Sequence, residues 1–322
     1  MAIPLLEINA FTHNYIVPLT TDTIFKNSPV FTRLQSKRMQ RFSGGNAIQR
    51  PITIGELNGD AIGRGDAVNI DFIATEAALV LNMKAYWVNI TLFGLDSMAN
   101  DGPEAVFSQV ENKFTGAASK MAKMLAVNMY KDGSSNAARS KHLNGFDEWI
   151  DDGNTFPAIG GINRSDILPV GTIGGLNAST NLAVNAFTLS TVNNAYGDAW
   201  FGNDHVDLIA ATQAGWNGMW NATQPAQRYK DETSDIGVIG FQSFRFNAAQ
   251  VVVDKYMPLN TMFGLNTDYI EWYLSDNYKF QFGFTGFKET ADTIDVAGQY
   301  LCGSNLVVPN PRSCFKLKGT AL

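Results

Sequence analysis

The sequence predicts an α+β chain made to contact copies of itself. Three segments in fixed order between Gly44 and Arg164 carry that prediction: a two-stranded ribbon, one uninterrupted helix of about eight turns, and the run from Lys141 to Arg164, rich in Gly and Asp. A long exposed ribbon leaves strand edges and apolar positions unburied, and an isolated pair of strands is marginal in water. A neighbouring copy of the chain would supply the missing cover.

Gly44-Gly45 opens the ribbon. Residues 46–57 place Ile48, Ile52, Thr53 and Ile54 on an outgoing strand. Asn58-Gly59-Asp60 and Gly63-Arg64-Gly65-Asp66 are turn chemistry, and 67–73 returns with Val68, Ile70 and Phe72 alternating against polar residues. Residues 79–93 form a second β stretch that leads into the helix.

The helix starts at Asn100-Asp101-Gly102-Pro103-Glu104, which offers a cap, a proline whose missing N–H is harmless, and an acid in the first turn. Val106, Val110, Phe114, Ala117, Met121 and Met124 then recur at steps of three and four, with Leu125 widening the stripe. Glu104 and Glu111 precede Lys113, Lys120, Lys123 and Lys131, the polarity that suits the macrodipole. Asp132-Gly133 stops the helix. Residues 103–131 span roughly 43 Å at 1.5 Å per residue.

Elsewhere the reading is coarser. Pro4, Pro18 and Pro29 break 1–43 into short extended pieces, with one helical stretch around 22–25, so this segment reads as an arm laid on other structure. Residues 133–138 read as a flexible joint, and 141–164 as short helical pieces and a turn-rich loop. A second helix is expected over 180–195 and a buried strand over 206–210. Trp216, Trp220 and 221–234 read as an exposed loop. Strands are expected over 236–246, 250–254, 262–273, 279–287 and 293–300, with short segments at 307–311 and 314–317.

Composition narrows the function. The chain has 322 residues, 45% hydrophobic, 17% charged and 11% aromatic, with a formal net charge of −6. A low charge fraction with many aromatics fits a surface largely covered by other subunits, and the negative balance excludes a nucleic-acid binder that relies on bulk positive charge. The charge is unevenly placed. Residues 26–55 hold Lys26, Arg33, Lys37, Arg38, Arg41 and Arg50 and no acid, whereas 165–300 is dominated by Asp and Glu. The basic cluster reads as ion pairs to acidic patches on neighbouring subunits or as a patch facing packaged nucleic acid. The start of the chain lacks the layout of a secretory signal and no apolar run reaches the length of a membrane span, so the expected setting is a cytoplasm. There Cys302 and Cys314 should be free thiols.

Enzyme chemistry finds no support. No phosphate-binding loop, dinucleotide fingerprint, H-E-x-x-H or G-x-S-x-G occurs. His13, His142 and His205 lack metal-ligand spacing. The acidic knot Asp147, Glu148, Asp151 and Asp152 could supply a carboxylate pair for a hydrolase or calcium ligands, but it lacks the EF-hand pattern and reads as a solvated helix face. Trp216, Trp220 and Tyr229 resemble a sugar-stacking patch by composition alone.

Phe25-Lys-Asn-Ser-Pro29-Val30-Phe31 followed by Gly44-Gly45 and the ribbon resembles the arm and extended loop of tailed-phage major capsid proteins with the HK97 fold. The helix ending in Lys131-Asp132-Gly133 resembles that family's spine helix. Lys141-x-x-x-Gly145-Phe146, Asp152-Gly153 and Gly160-Gly161-Ile162-Asn163-Arg164 are similar to its loop pattern, with Ala158-Ile159 where a tyrosine usually precedes the glycines. Pro309-Asn-Pro-Arg312 and Lys316-Leu-Lys318 also fit. The resemblance implies an α+β, HK97-like capsid fold. Its parts would be an N-terminal arm (1–45), an extended loop (46–78), a peripheral domain with the spine helix and a small sheet (79–145 and 275–322), and an axial α/β domain (146–274).

By that resemblance the chain is not an enzyme and needs no cofactor or metal. It would self-assemble as hexamers and pentamers into an icosahedral phage head, enclosing double-stranded DNA that it touches non-specifically. Separate scaffolding, portal and cement proteins are the further expected partners, no membrane is involved, and the virion, assembled in the host cytoplasm, is the expected location. The arm's start near Met1 leads to the expectation of a separate scaffold. Assembly contacts are expected at Arg33, Arg38, Arg41, Arg50, Glu56, Asp60, Arg64 and Asp66. The spine-helix core is expected at Val106, Val110, Phe114, Met121 and Leu125. An encapsulin-type compartment shell is the alternative of the same fold, and an acidic-site hydrolase the remote one.

Overall fold

Ser28-Pro29 starts a helix rather than a loose arm. The computed structural model of the chain describes residues 9–10, 12, 28–45, 47–55, 57, 59–67, 70, 75–94, 103–133, 136–167, 169–170, 173–174, 176–184, 187–223, 243–277, 279–289 and 295–319. Within it Pro29–Lys37 is helical, with proline at its first position. Val30, Phe31 and Leu34 are fully buried, and the Phe31 ring meets Trp272 edge-on at 5.0 Å. The next strand, β1 (Met39–Phe42), adds parallel to a strand far along the chain, with Met39 opposite Trp272. The arm from 28 to 42 is therefore packed into its own subunit, a correction to the expectation of short extended pieces. Residues 22–25 lie outside the described residues.

The ribbon also differs in register. Its outgoing strand, β2 (Ile48–Thr53), pairs with β3 (Glu76–Leu81), Ile48 opposite Leu81 and Thr53 opposite Glu76. The return strand thus lies beyond the expected 67–73 and takes the first part of the stretch expected to lead into the helix. Leu79 and Leu81 turn into the core together with Ile48 and Ile52, and that shared apolar face fixes the register.

β4 (Lys84–Leu92) begins the first sheet, which is organised on the twelve-residue strand β17 (Val296–Val307). The two pair antiparallel from Lys84–Ser304 to Leu92–Val296. On the other side of β17 lie β14 (Glu271–Ser275), β15 (Gly283–Phe284) and β16 (Lys288–Glu289). Across the inner face runs the long helix, Pro103–Met129, close to the expected 103–131. Val110, Phe114, Ala117, Met121 and Leu125 are buried as the apolar stripe requires; the Val106 side chain lies outside the described residues. Phe114 touches Phe284 at 4.7 Å and Tyr300 at 6.3 Å, both edge-on, and so seats the helix on β15 and β17.

The second sheet has the order β11 (Ser243–Phe246), β12 (Ala249–Val253), β10 (Leu208–Ala211), β13 (Thr261–Leu265), β18 (Phe315–Gly319) and β9 (Ser179–Val184). Successive residues of β10 serve different cores, as a strand's period of two dictates. Leu208 and Ala210 join the main core under the long helix, while Ile209 and Ala211 face helices Leu189–Ala199 and Gln213–Thr223.

Two expectations fail here. The helix expected over 180–195 is strand β9 followed by a helix that starts at Leu189, where the Thr188 hydroxyl accepts from the Thr191 N–H and caps it. Trp216 and Trp220 lie on a helix, one turn apart, with rings stacked at 5.0 Å; their spacing of four was the missed signal. By pairing, β18 belongs to the second sheet and β14 to the first, and the expected boundary at 274/275 falls within β14. Chain end and arm are drawn into opposite sheets because each supplies a strand to complete one.

The expected flexible joint at 133–138 is also corrected in its described part. The backbone of Gly133 lies against Leu143 and Asn144 too closely for any Cβ, and Ala137–Arg139 is a 3-10 turn capped by Asn136. Among the described residues no helix is long and apolar enough to cross a membrane, and no cluster of His, Cys, Asp and Glu could hold a metal ion.

Candidate assembly surfaces

The motif from Gly145 to Arg164 is the joint on which the projecting parts hang. Gly145 sits against the last carbonyls of the long helix (Asn128 and Met129) and that of Lys131 just beyond it, where a Cβ would overlap them. Phe146–Trp149 is one helical turn, and the Trp149 indole donates to the Leu306 carbonyl of β17 at 3.1 Å. Further on, β5 (Ala158–Ile159) and β6 (Ile162–Asn163) form a hairpin with Ile159 opposite Ile162. Its two-residue turn, Gly160-Gly161, has φ of +56° and +85°, the requirement of a type I′ turn. The Gly160 carbonyl accepts from the Val80 N–H at 2.9 Å, and the Leu79 side chain fills the space a Cβ would need at Gly160. The Gly-Gly pair thus anchors the root of the ribbon.

Arg164 closes the joint from inside. It is almost wholly buried, and its guanidinium donates only to main-chain carbonyls: Phe156 at 2.8 Å, Glu148 at 2.6 Å, Trp149 at 3.1 Å, Asp151 at 3.3 Å, and Leu176. Burial lowers its pKa, against the nearby Asp151, Glu148 and Asp152 charges. The acidic knot is correspondingly not the solvated face expected from sequence. Glu148 is buried, accepting from the Gly133 N–H at 3.0 Å and the Asn144 amide at 2.8 Å. Asp151 is buried and accepts from the N–H groups of Gly153 and Phe156, each at 3.0 Å. Lys316 of β18 reaches Asp147 at 3.2 Å and Asp151 at 3.7 Å. These carboxylates hold loops, and two cations face them, which leaves no paired acid poised for hydrolysis.

The arm's basic residues find acids in their own subunit. Lys37 reaches Asp207 at 2.9 Å and Asp268 at 3.1 Å, and Arg33 reaches Asp207 at 3.5 Å. Burial pushes the Asp207 carboxyl up, but donors from Thr267 and Lys37 outweigh it and hold it below its ordinary value. Arg41 lies 3.6 Å from Asp276, both exposed, and Arg50 lies 2.7 Å from the buried Glu271. The Ser28 hydroxyl and the Tyr130 hydroxyl both donate to Asp254, which ties arm, long helix and second sheet at one carboxylate. Burial, then the Asp254 charge, raises the Tyr130 pKa well above its usual value. Arg38 is exposed and makes no ion pair among the described residues. With Arg50, Ile52 and Arg312 it lines a crevice of about 450 Å³ at the ribbon root.

Past Ile54, whose N–H still donates to the Thr75 carbonyl at 2.8 Å, the ribbon leaves the body. Its described tip residues are exposed, and Leu57, Ile62 and Ile70 are 78%, 64% and 91% accessible. Asp60 accepts from the Ala61 N–H at 2.7 Å and Asp66 from the Gly63 N–H at 2.5 Å, so both carboxylates shape the turn. Arg64 is exposed on that turn, and Glu56 lies outside the described residues. Sequence reasoning missed Asp207, Asp254, Asp268 and Glu271, the arm's acidic partners. Only the excess of acid after residue 165 hinted at them.

No protein-family model and no curated protein matches the chain. Solved structures do. The subunit of the cyanophage A-1(L) capsid superposes with a TM-score of 0.66 at 14% identity, covering 90% of this chain and 92% of that one. The capsid of a native GTA particle gives 0.62 at 8% identity, with 89% of each chain covered. The SrpI encapsulin of Synechococcus elongatus PCC 7942 gives 0.54 at 8% identity, covering 88% and 85%. Likeness over nine-tenths of the chain, with a long helix under one sheet, a second sheet beside it and a projecting ribbon, settles the architecture: the chain has the α+β HK97 fold of phage major capsid proteins and related shell proteins.

Proposed function

We propose that this chain is a major capsid protein, a structural and non-catalytic subunit that assembles with copies of itself into hexamers and pentamers of an icosahedral head around double-stranded DNA. One observation carries the reading: a ribbon rooted firmly by Gly160, Leu79 and Val80 projects three large apolar side chains that its own subunit leaves uncovered. Large apolar side chains exposed on a projecting tip fit a surface that another chain covers. The arm (1–45), extended loop (46–78), peripheral domain (79–145 and 275–322) and axial domain (146–274) are the proposed functional division, with β14 and β18 exchanged between the two sheets. Arg33, Arg41 and Arg50 support assembly by fixing the arm and the ribbon root, whereas Arg38, Arg64 and the ribbon tip face the neighbour. Scaffolding, portal and cement proteins are the proposed partners, and the virion, assembled in the host cytoplasm, the proposed location.

The encapsulin reading is favoured by a specific observation, the superposition on the SrpI shell, and differs in cargo. Electron microscopy of the purified protein, with nucleic acid measured after nuclease treatment, tests both. Closed shells with protected DNA are expected. Closed shells that protect only co-purified protein would establish the compartment reading, and a monodisperse monomer would overturn both.

A further inference from the structure

Among the described cations of the arm, Arg33, Lys37 and Arg41 have acids in their own subunit and Arg38 does not, so the larger group of unpaired positive charge lies elsewhere. Between Glu111 and Asp132 the sequence has Lys113, Lys120, Lys123 and Lys131 and no acid. In the long helix, at 100° per residue, Lys120 lies about 20° and Lys123 about 80° around from Lys113, within roughly 15 Å of axial rise. Lys113, Lys120 and Lys123 are exposed and make no ion pair among the described residues. Lys113 lies over the Phe93 ring at 5.9 Å. Glu111 falls on the far side of the exposed arc, about 160° from Lys113. Lys131, two residues past the helix end, is exposed as well.

What lies between the lysines is equally informative. Gly116 projects inside the arc they bound, and a Cβ there would meet nothing within 4 Å. A glycine inside a helix is unfavourable relative to alanine, and no packing among the described residues calls for it. Asn112 and Ser119, both exposed, complete the face with small polar groups. The described helix residues of this face include no large apolar side chain of the kind that dominates protein–protein interfaces, and the half-exposed Phe93 ring stands only at its edge, under Lys113. Lysines and short polar side chains are among the groups that contact phosphate oxygens, and the glycine keeps the surface between them low.

We infer that this helix face, rather than the basic arm, is the surface that meets the sugar–phosphate backbone of double-stranded DNA. The inference rests on the shell reading for its setting but not for its test. Each phosphate neutralised contributes about −0.9 to the slope of log K against log salt. The experiment measures binding of a labelled duplex to the unassembled full chain from 50 to 200 mM salt, with circular dichroism to verify folding. The Lys113→Gln, Lys120→Gln, Lys123→Gln triple variant should stay folded, since all three side chains are exposed, and its slope should be roughly 2 to 3 less steep. An Arg33→Gln, Arg41→Gln variant should keep the wild-type slope. An unchanged slope in the lysine variant, a slope lost in the arm variant, or no salt-dependent binding by the wild type overturns the inference. Microscopy of the same protein reads shell formation separately: shells without this DNA binding would sink the inference alone, and DNA binding without shells would sink the capsid reading alone.

Discussion

Nη2 of Arg164 donates to the main-chain carbonyl of Glu148 at 2.6 Å while the Glu148 carboxylate turns away to the Gly133 N–H at 3.0 Å. A buried cation and a buried anion sixteen residues apart thus avoid direct pairing, and each instead fastens a different loop. Arginine is suited to this because its planar fork presents five donors, against three rotating ones on lysine.

Removing that fork should disable the joint. Arg164→Ala leaves several carbonyls without donors and buried carboxylates short of a cation, at a cost of about 3–5 kcal/mol. Insoluble protein is expected. Arg164→Lys keeps the charge and loses part of the network, so it should be soluble with a lower unfolding temperature. Wild-type thermal unfolding of the alanine variant would show that the cage is dispensable.

The long helix gives a second test. Met121 is fully buried, and Met121→Asp places an unpaired charge there, at a cost of several kcal/mol. Soluble, normally assembling Met121→Asp protein would mean the stripe does not carry the subunit's core. Aggregation or loss of expression is expected, read as soluble yield against a Met121→Leu control, which conserves volume and should behave as wild type.

How much of this was legible in the sequence depended on the range of the interaction. The long helix was, because its stripe repeats every three to four residues and needs no partner to be recognised. The Gly160-Gly161 turn and Arg164 were visible as a motif, although their work, anchoring Leu79 and caging five carbonyls, exists only between segments distant in sequence. The arm helix carried a local signal in Ser28-Pro29 that was outweighed by the prolines around it. The expected helix over 180–195 takes in strand β9 because a strand running into a capped helix can carry apolar residues at spacings a single helix would also show. Asp207 and Glu271 could not be assigned at all, since nothing local distinguishes an acid that waits for an arginine well over a hundred residues away.

The cysteines bear on redox state and on pH. Cys302 and Cys314 are buried, and burial pushes each thiol from 9.0 up to about 12. The folded chain holds these protons more tightly than the unfolded chain does, so the stabilisation is complete below pH 9 and is lost as pH rises from 9 toward 12. Tyr86, pushed from 10.0 to about 12 mainly by burial, adds to the fall over the upper part of that range. Unfolding temperature should therefore drop across this window, and less steeply in Cys302→Ala. A thiol reagent should label neither cysteine in native protein and both after denaturation, and shells should persist in reductant. Dissolution of shells by reductant would reveal a disulfide that the structure does not contain.

The ribbon tests the proposed function most directly. Beyond Ile54 it has turn bonds from Asp60 and Asp66 and exposed Leu57, Ile62 and Ile70, too little to hold a two-stranded segment in water. Its root is different: Ile48, Ile52, Leu79 and Leu81 are buried in the subunit's core. Replacing residues 56–66 by a short Gly-Ser turn removes the tip and leaves the root. The subunit should then fold with near-native circular dichroism and an unfolding temperature close to wild type. Shell formation should fail all the same, because the tip's apolar contacts are repeated at every equivalent interface of a closed shell, while any single exposed ion pair there contributes only about 0–1 kcal/mol. Normal shells from the truncated chain would show that the tip is not an assembly element. Unfolding of the truncated chain would place the tip in the subunit's own core and remove the physical reason for a neighbour.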